Sequence, residues 1–323
     1  MASEFQIFGR PGERVALAGL CVIAPVLVYL LIFSILGGGY FFPQDIAHKT
    51  LSLELRPAEP TLFVAEFAGR LRILLSLGAL AVFALCLVAY AGALLYSRRG
   101  RNWMMILMGV AAGYGIAGAL NRGNAMLDAI LITPLEQAIA ADPGFGLARF
   151  FEGADMLQAA ATLFSLTAAA ALAICFADFA FGYRSGDERE GDLRPVRDHL
   201  SRVFVASSAL MTLATIATYY YYHFTPLLMT EASADIYRPL AASASLHWGA
   251  SYTLCLAAAS APAGAAYLLM RSRALRAGTM KDDVALFPDT FSAKAFKAAG
   301  AVLTLLAPAI ASPLFDMLGP LLS

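Results

Sequence analysis

Six long apolar runs, separated by polar loops that alternate between arginine-rich and arginine-poor, constrain this chain more than any other feature. A helix needs about 20 apolar residues to cross the hydrocarbon core of a bilayer. Residues 15–41, 71–97, 103–121, 155–183, 202–224 and 247–270 each supply a run of that order. The chain therefore reads as an all-α, polytopic transmembrane helical bundle. Only 14% of its 323 residues are charged while 59% are hydrophobic, too little polar surface to cover a soluble domain of this size. The first run is longer than a signal-peptide core. It is expected to stay as a transmembrane helix, bent at Pro25.

Orientation follows from the loop arginines and lysines. One side carries Arg10, Arg14, Arg98, Arg99, Arg101, Arg184, Arg189, Arg194, Arg197, Arg202, Arg271, Arg273, Arg276 and Lys281. The other carries Lys49, Arg56, Arg70, Arg72, Arg122, Arg149 and Arg238, so the ratio is 14 to 7. The basic side is expected to be cytoplasmic, with the N-terminus inside, in a plasma membrane such as the bacterial inner membrane. Aromatic residues mark the other interface independently: Tyr40 to Phe42, Phe150, Phe151, Tyr219 to Tyr222 and Trp248. Tyr and Trp favour that zone because one end of each side chain is apolar and the other wet.

Residues 1–270 thus form a predicted six-span bundle, and 271–323 a linker followed by a C-terminal apolar segment. That segment, 298–318, contains Pro308, Pro313 and Asp316. Two prolines in a short run free backbone carbonyls that lipid cannot satisfy. An interfacial or re-entrant placement is favoured, with a seventh span as the alternative.

Within the bundle, Gly109-x-x-x-Gly113, continued by Ala117, predicts a close-packing face on span three. Spans four and six are rich in small residues, whereas one and two carry bulkier side chains. The expectation is a centre built from spans three, four and six, with one and two turned toward lipid.

The span centres lack Asp, Glu, Lys, Arg and His. Proton-coupled carriers and voltage sensors keep such groups there, and no internal repeat relates the two halves, which argues against a proton-driven antiporter. Nucleotide loops, nucleophile elbows and zinc-protease motifs are absent. Cys21, Cys86, Cys175 and Cys255 lie in four different spans without ligand spacing, so they read as small hydrophobes. No cofactor is expected. With a formal net charge of zero, no nucleic-acid partner is implied either.

One constellation of polar residues stands out. Asp155, Gln158, Thr162 and Ser165 follow helical spacing on span four. Ser208, Thr212, Thr215, Tyr219 and Tyr222 do so on span five, with His223 beside its outer end, and His247, Ser251 and Cys255 on span six. Three such stripes toward one side describe a hydrated vestibule between three helices. The competing explanation is that Ser and Thr bond their own helix backbone and that Tyr anchors the interface. His48, His223 and His247 fall on the same side as candidate metal ligands, although no paired spacing supports a site.

Three functions are compatible with these features. The first is a non-catalytic accessory, scaffold or effector subunit that works through lipid, a protein partner or self-association. The second is a channel or carrier for a small neutral solute, lined by spans four to six. The third is a membrane enzyme using an Asp/His cluster at the outer face. The span count has a direct test. Fusions at Ser323 to a fluorescent protein that matures only inside, and to a phosphatase active only outside, are expected to give fluorescence without phosphatase activity. The reverse result means a seventh span.

Overall fold

The computed structural model describes residues 11–37, 54, 56, 60–120, 133–141, 146–181, 193–276 and 306–307. These residues are helical, with no strand among them: α1 Pro11–Gly37, α2 Pro60–Arg99, α3 Arg101–Leu120, α4 Thr133–Ala141, α5 Leu147–Phe181, α6 Arg194–Phe224, a 3-10 turn at Thr225–Leu228, and α7 Glu231–Arg276. Five of them, α2, α3, α5, α6 and α7, are long and apolar enough to cross a membrane, and α1 contributes a shorter apolar stretch at Gly19–Ile32. The chain is thus a helical bundle with the character of an integral, multi-pass membrane protein. His48 and nearly all of 298–318 lie outside the described residues.

Two glycines set the sharpest breaks. Gly100 has φ +78° and Gly146 has φ +64°, left-handed values that a residue with a Cβ adopts at a cost. Gly100 N–H donates to Tyr96 O (2.9 Å) and Gly100 O accepts from Met104 N–H (3.1 Å). One residue therefore closes α2 and opens α3, reversing the chain within a single turn. Arg98 and Arg99 sit in the last turn of α2, where cations complement the helix dipole.

The helices outreach a bilayer. At 1.5 Å per residue, the 46 residues of α7 span about 69 Å and the 40 of α2 about 60 Å, against a hydrocarbon core of about 30 Å. The excess at the arginine-poor end forms a cap. There Arg56 N–H donates to Leu228 O (2.9 Å), Thr230 N–H to Glu54 O (3.0 Å) and Glu54 N–H to Ser233 Oγ (3.0 Å). Met229, Ala234, Tyr237, Ala241 and Ala244 make a small buried cluster of their own beneath these bonds.

The centre of the bundle is α5, which packs against α1, α2, α3, α6 and α7. Its Ala168, Ala170, Ala171, Ala173 and Ala177 are buried, and these small side chains let neighbouring backbones close in. The expected centrality of span four is seen. That of span three is not, and α2 is more central than its bulk suggested. A stripe on α2, Ile73, Leu77, Leu80, Ala84, Leu87, Ala91 and Leu95, is buried, while Leu71, Leu75, Val82 and Leu85 face outward. Bulky residues serve both faces of α2, so bulk alone does not identify a lipid-facing helix.

The predicted packing face of α3 is not the one that packs within the chain. Gly109, Gly113 and Ala117 are exposed, and a Cβ at either glycine meets nothing within 4 Å. The contact is made by Ala111, Gly115 and Gly118, which point into α5. A Cβ on Gly115 would run into Thr167 Oγ1 and come 2.8 Å from Leu163 O, and one on Gly118 would meet the Leu166 side chain. Positions 109 and 111 lie roughly 200° apart around a helix. The glycine pair recognised in the sequence is therefore on the side opposite the one that packs within the chain. Gly115→Leu is expected to destabilise the protein by about 3 kcal/mol or to prevent folding. Gly109→Leu is expected to stay within about 0.5 kcal/mol of the parent. Thermal melting of both variants in detergent distinguishes the two faces.

Candidate functional site

The predicted stripes end at the arginine-poor end of the bundle, where α6 and α7 bring aromatic rings and histidines together. Trp248 Nε1 donates to Tyr222 Oη (2.9 Å). The Trp248 ring lies 6.2 Å from Tyr29 of α1 and 5.7 Å from Tyr252, with the ring of His247 at 6.2 Å. Ser251 Oγ, buried, donates to His247 O (2.8 Å) and lies 3.3 Å from His247 Nε2. His247, Ser251, Tyr222 and Trp248 thus form one connected group. Tyr219 and His223 form a second: their rings stack at 3.8 Å, and His223 Nδ1 is 2.9 Å from Tyr219 O. A third joins exposed Asp155 to buried Tyr221, whose hydroxyl donates to Asp155 Oδ1 at 3.5 Å.

The hydroxyls between these groups are turned inward on their own helices. Thr215 Oγ1 donates to Met211 O (3.0 Å), Thr212 to Ser208 O (2.8 Å) and Thr218 to Ala214 O (2.8 Å). Thr215 is fully buried. This is the backbone-bonding arrangement weighed against the vestibule in the sequence. On α5, Gln158, Thr162 and Ser165 are half-buried. The Ser165 hydroxyl is enclosed with no hydrogen-bond partner. Among the described residues, no three His, Cys, Asp or Glu side chains are grouped to hold a metal ion.

Ionic contacts frame the bundle at both ends. At the arginine-poor end, Arg70 pairs with Glu66 one turn away on α2 and lies over the Phe150 ring at 5.3 Å. Phe150, Phe151 and Phe224 pack edge-on or tilted against one another, and Gly69 leaves room for Phe224 and Leu227, whose atoms lie 2.8 and 3.0 Å from where a Cβ would be. Further out, on the part of α7 beyond 247–270, Glu231 accepts from Arg238 and Arg56, and Arg238 also pairs with Asp235. The hydrogen bond from Arg238 chiefly holds the Glu231 carboxyl below its usual range. These pairs are exposed and screened by solvent, so each contributes little to stability.

At the other end, Asp178 has a side chain only 6% exposed and accepts from Arg98 Nε (2.9 Å) and from Arg99 Nε. The Arg98 guanidinium lies 4.4 Å above the Phe179 ring, and His199 of α6 stacks on the same ring at 4.6 Å. This set ties the α2–α3 turn, α5 and α6 together, and the sequence reading did not find it. The available signal was one acid near the end of an apolar span, with two arginines at a one-residue turn.

Comparison with known proteins finds no matching family model, no matching curated protein and no matching solved structure. The geometry therefore stands by itself. Asp178→Ala leaves two arginines without their shared acceptor. It is expected to cost about 2 kcal/mol, below the loss for a fully buried pair because both arginines are partly exposed. Glu231→Gln, at an exposed network, is expected to leave the melting temperature essentially unchanged. Parallel thermal melts in detergent check the contrast.

Proposed function

We propose that this chain is a six-span protein of a bacterial inner membrane, N-terminus cytoplasmic, acting as a non-catalytic accessory, scaffold or effector subunit through contacts with protein or lipid. The observation that carries this reading is the inward satisfaction of the polar stripes. Thr212, Thr215, Thr218 and Ser251 donate to carbonyls of their own helices, so their hydrogen-bonding demand is met within each helix without water or a solute. The Asp and His side chains that an enzyme would combine fall in separate groups, Asp155 with Tyr221 and His247 with Ser251. The exposed small-residue face of α3 at Gly109, Gly113 and Ala117 supports self-association or a partner helix as the mode of contact.

A second reading, a pathway for a small neutral solute, draws on the enclosed, unpartnered hydroxyl of Ser165 between the stripes. The two differ in what they require. For the accessory reading, affinity purification from native membranes is expected to yield a stoichiometric assembly that Gly113→Leu disrupts while its melting temperature matches the parent. A monomer whose melting temperature rises with a neutral solute, and loses that rise in Ser165→Ala, would establish the pathway instead.

A further inference from the structure

We propose that the arginine-rich end of the bundle carries a binding site for a phosphate group, between the N-terminus of α6 and the end of α7. α6 opens after Leu193, which provides no side-chain cap, and Pro195 stands in its first turn. The first intrahelical acceptor is Leu193 O, bonded by Arg197 N–H at 3.0 Å. The N–H groups of Arg194 and Val196 precede that bond and have no partner within the helix. N–H groups without a helical acceptor at the positive end of a 31-residue helix favour an oxyanion.

A second, independent observation points to an occupant. Tyr267 of α7 is 1% exposed, and its hydroxyl is enclosed with no hydrogen-bond partner. Buried hydroxyls are normally bonded, because leaving water without a replacement partner is unfavourable. Tyr267 belongs to the same buried cluster as Leu193 and Val196, the residues that open α6, together with Met270. The charges acting on its hydroxyl are Arg197, Arg271 and Asp198. Asp198 is half-exposed and turned to Arg197 Nη2 at 2.8 Å. Among the described residues, two cations thus stand against one anion near this hydroxyl.

The donor set is backbone N–H, tyrosine hydroxyl and guanidinium. It suits a tetrahedral oxyanion with several acceptor oxygens, which is the chemistry of a phosphate mono- or diester. The position suits it too. The apolar part of α7 ends at Ser272, one residue past Arg271, which is the depth of lipid headgroups. The site does not depend on the accessory reading.

The test uses the full chain in detergent and follows thermal melting. One arm adds phosphatidylglycerol, with phosphatidylcholine as reference. The other adds inorganic phosphate against chloride at constant ionic strength. A saturable rise with phosphatidylglycerol beyond that with phosphatidylcholine is expected in the parent. Tyr267→Phe and Arg271→Gln are each expected to weaken the apparent affinity about tenfold. A rise with phosphatidylglycerol alone assigns the site to a lipid headgroup, and a rise with inorganic phosphate assigns it to phosphate from either source. Tyr267→Phe keeps the test decisive if the arginine variant does not fold. It removes a hydroxyl that has no partner in the empty protein, so its melting temperature without additive is expected to match or exceed the parent's. The proposal is overturned if neither probe acts on the parent, or if Tyr267→Phe retains the full response.

Discussion

The rest of this structure depends on the need to satisfy backbone hydrogen bonds where water is scarce. In an apolar medium a free carbonyl or N–H is costly, so the chain remains helical across every apolar run and turns only at its ends. Hydroxyls follow the same rule. Those of Thr212, Thr215 and Ser251 fold back onto carbonyls one turn earlier. A side chain also reaches between helices: Cys255 Sγ donates to Pro25 O at 3.5 Å, joining α7 to α1. With polar demand met locally, contact between helices is decided by shape, and the alanines of α5 give the closest fit.

Charge is confined to the two ends and used differently at each. At the arginine-rich end it is gathered around one buried carboxylate, Asp178, backed by Phe179 and His199. Exchange of that acid leaves cations facing each other across a packed turn. At the opposite end charge is spread over the exposed set of Arg56, Glu231, Asp235 and Arg238, where solvent screens each pair. The first arrangement fixes the geometry of three helices. The second holds the cap through many weak contacts, with the Arg70 and Phe150 stack below it.

The positions of the helices were legible in the sequence, because length and hydropathy decide them in lipid. Their rotation and partners were not. α3 carries small residues on two opposite faces, and nothing in composition says whether Gly109 or Gly115 meets α5. α2 carries large aliphatic residues on both its buried and its exposed side, since lipid tails and a protein interior are equally apolar. The extensions at 60–70 and 231–246 escaped notice because they are helical yet polar enough to read as loops. The aromatic and histidine groups were foreseen as residues, while their division into three sets depends on side-chain directions that helical spacing leaves open. Asp178 was missed because an acid within a turn of a span's end resembles an ordinary interfacial residue.

The length of α7 has a mechanical meaning. A single helix of 46 residues runs from the Glu231 network to Arg276, so the two ends of the bundle share one covalent, internally bonded rod. A helix is stiff along its axis, and a displacement of the cap at Glu231 reaches the Tyr267 and Arg271 turn without passing through a loop. Pro239 and Pro262 each interrupt the ladder, so bending concentrates at two known joints while compression does not. The rod divides into a short arm at the arginine-poor end, a middle section and an arm at the arginine-rich end, and a torque on either arm arrives at the far side as a tilt.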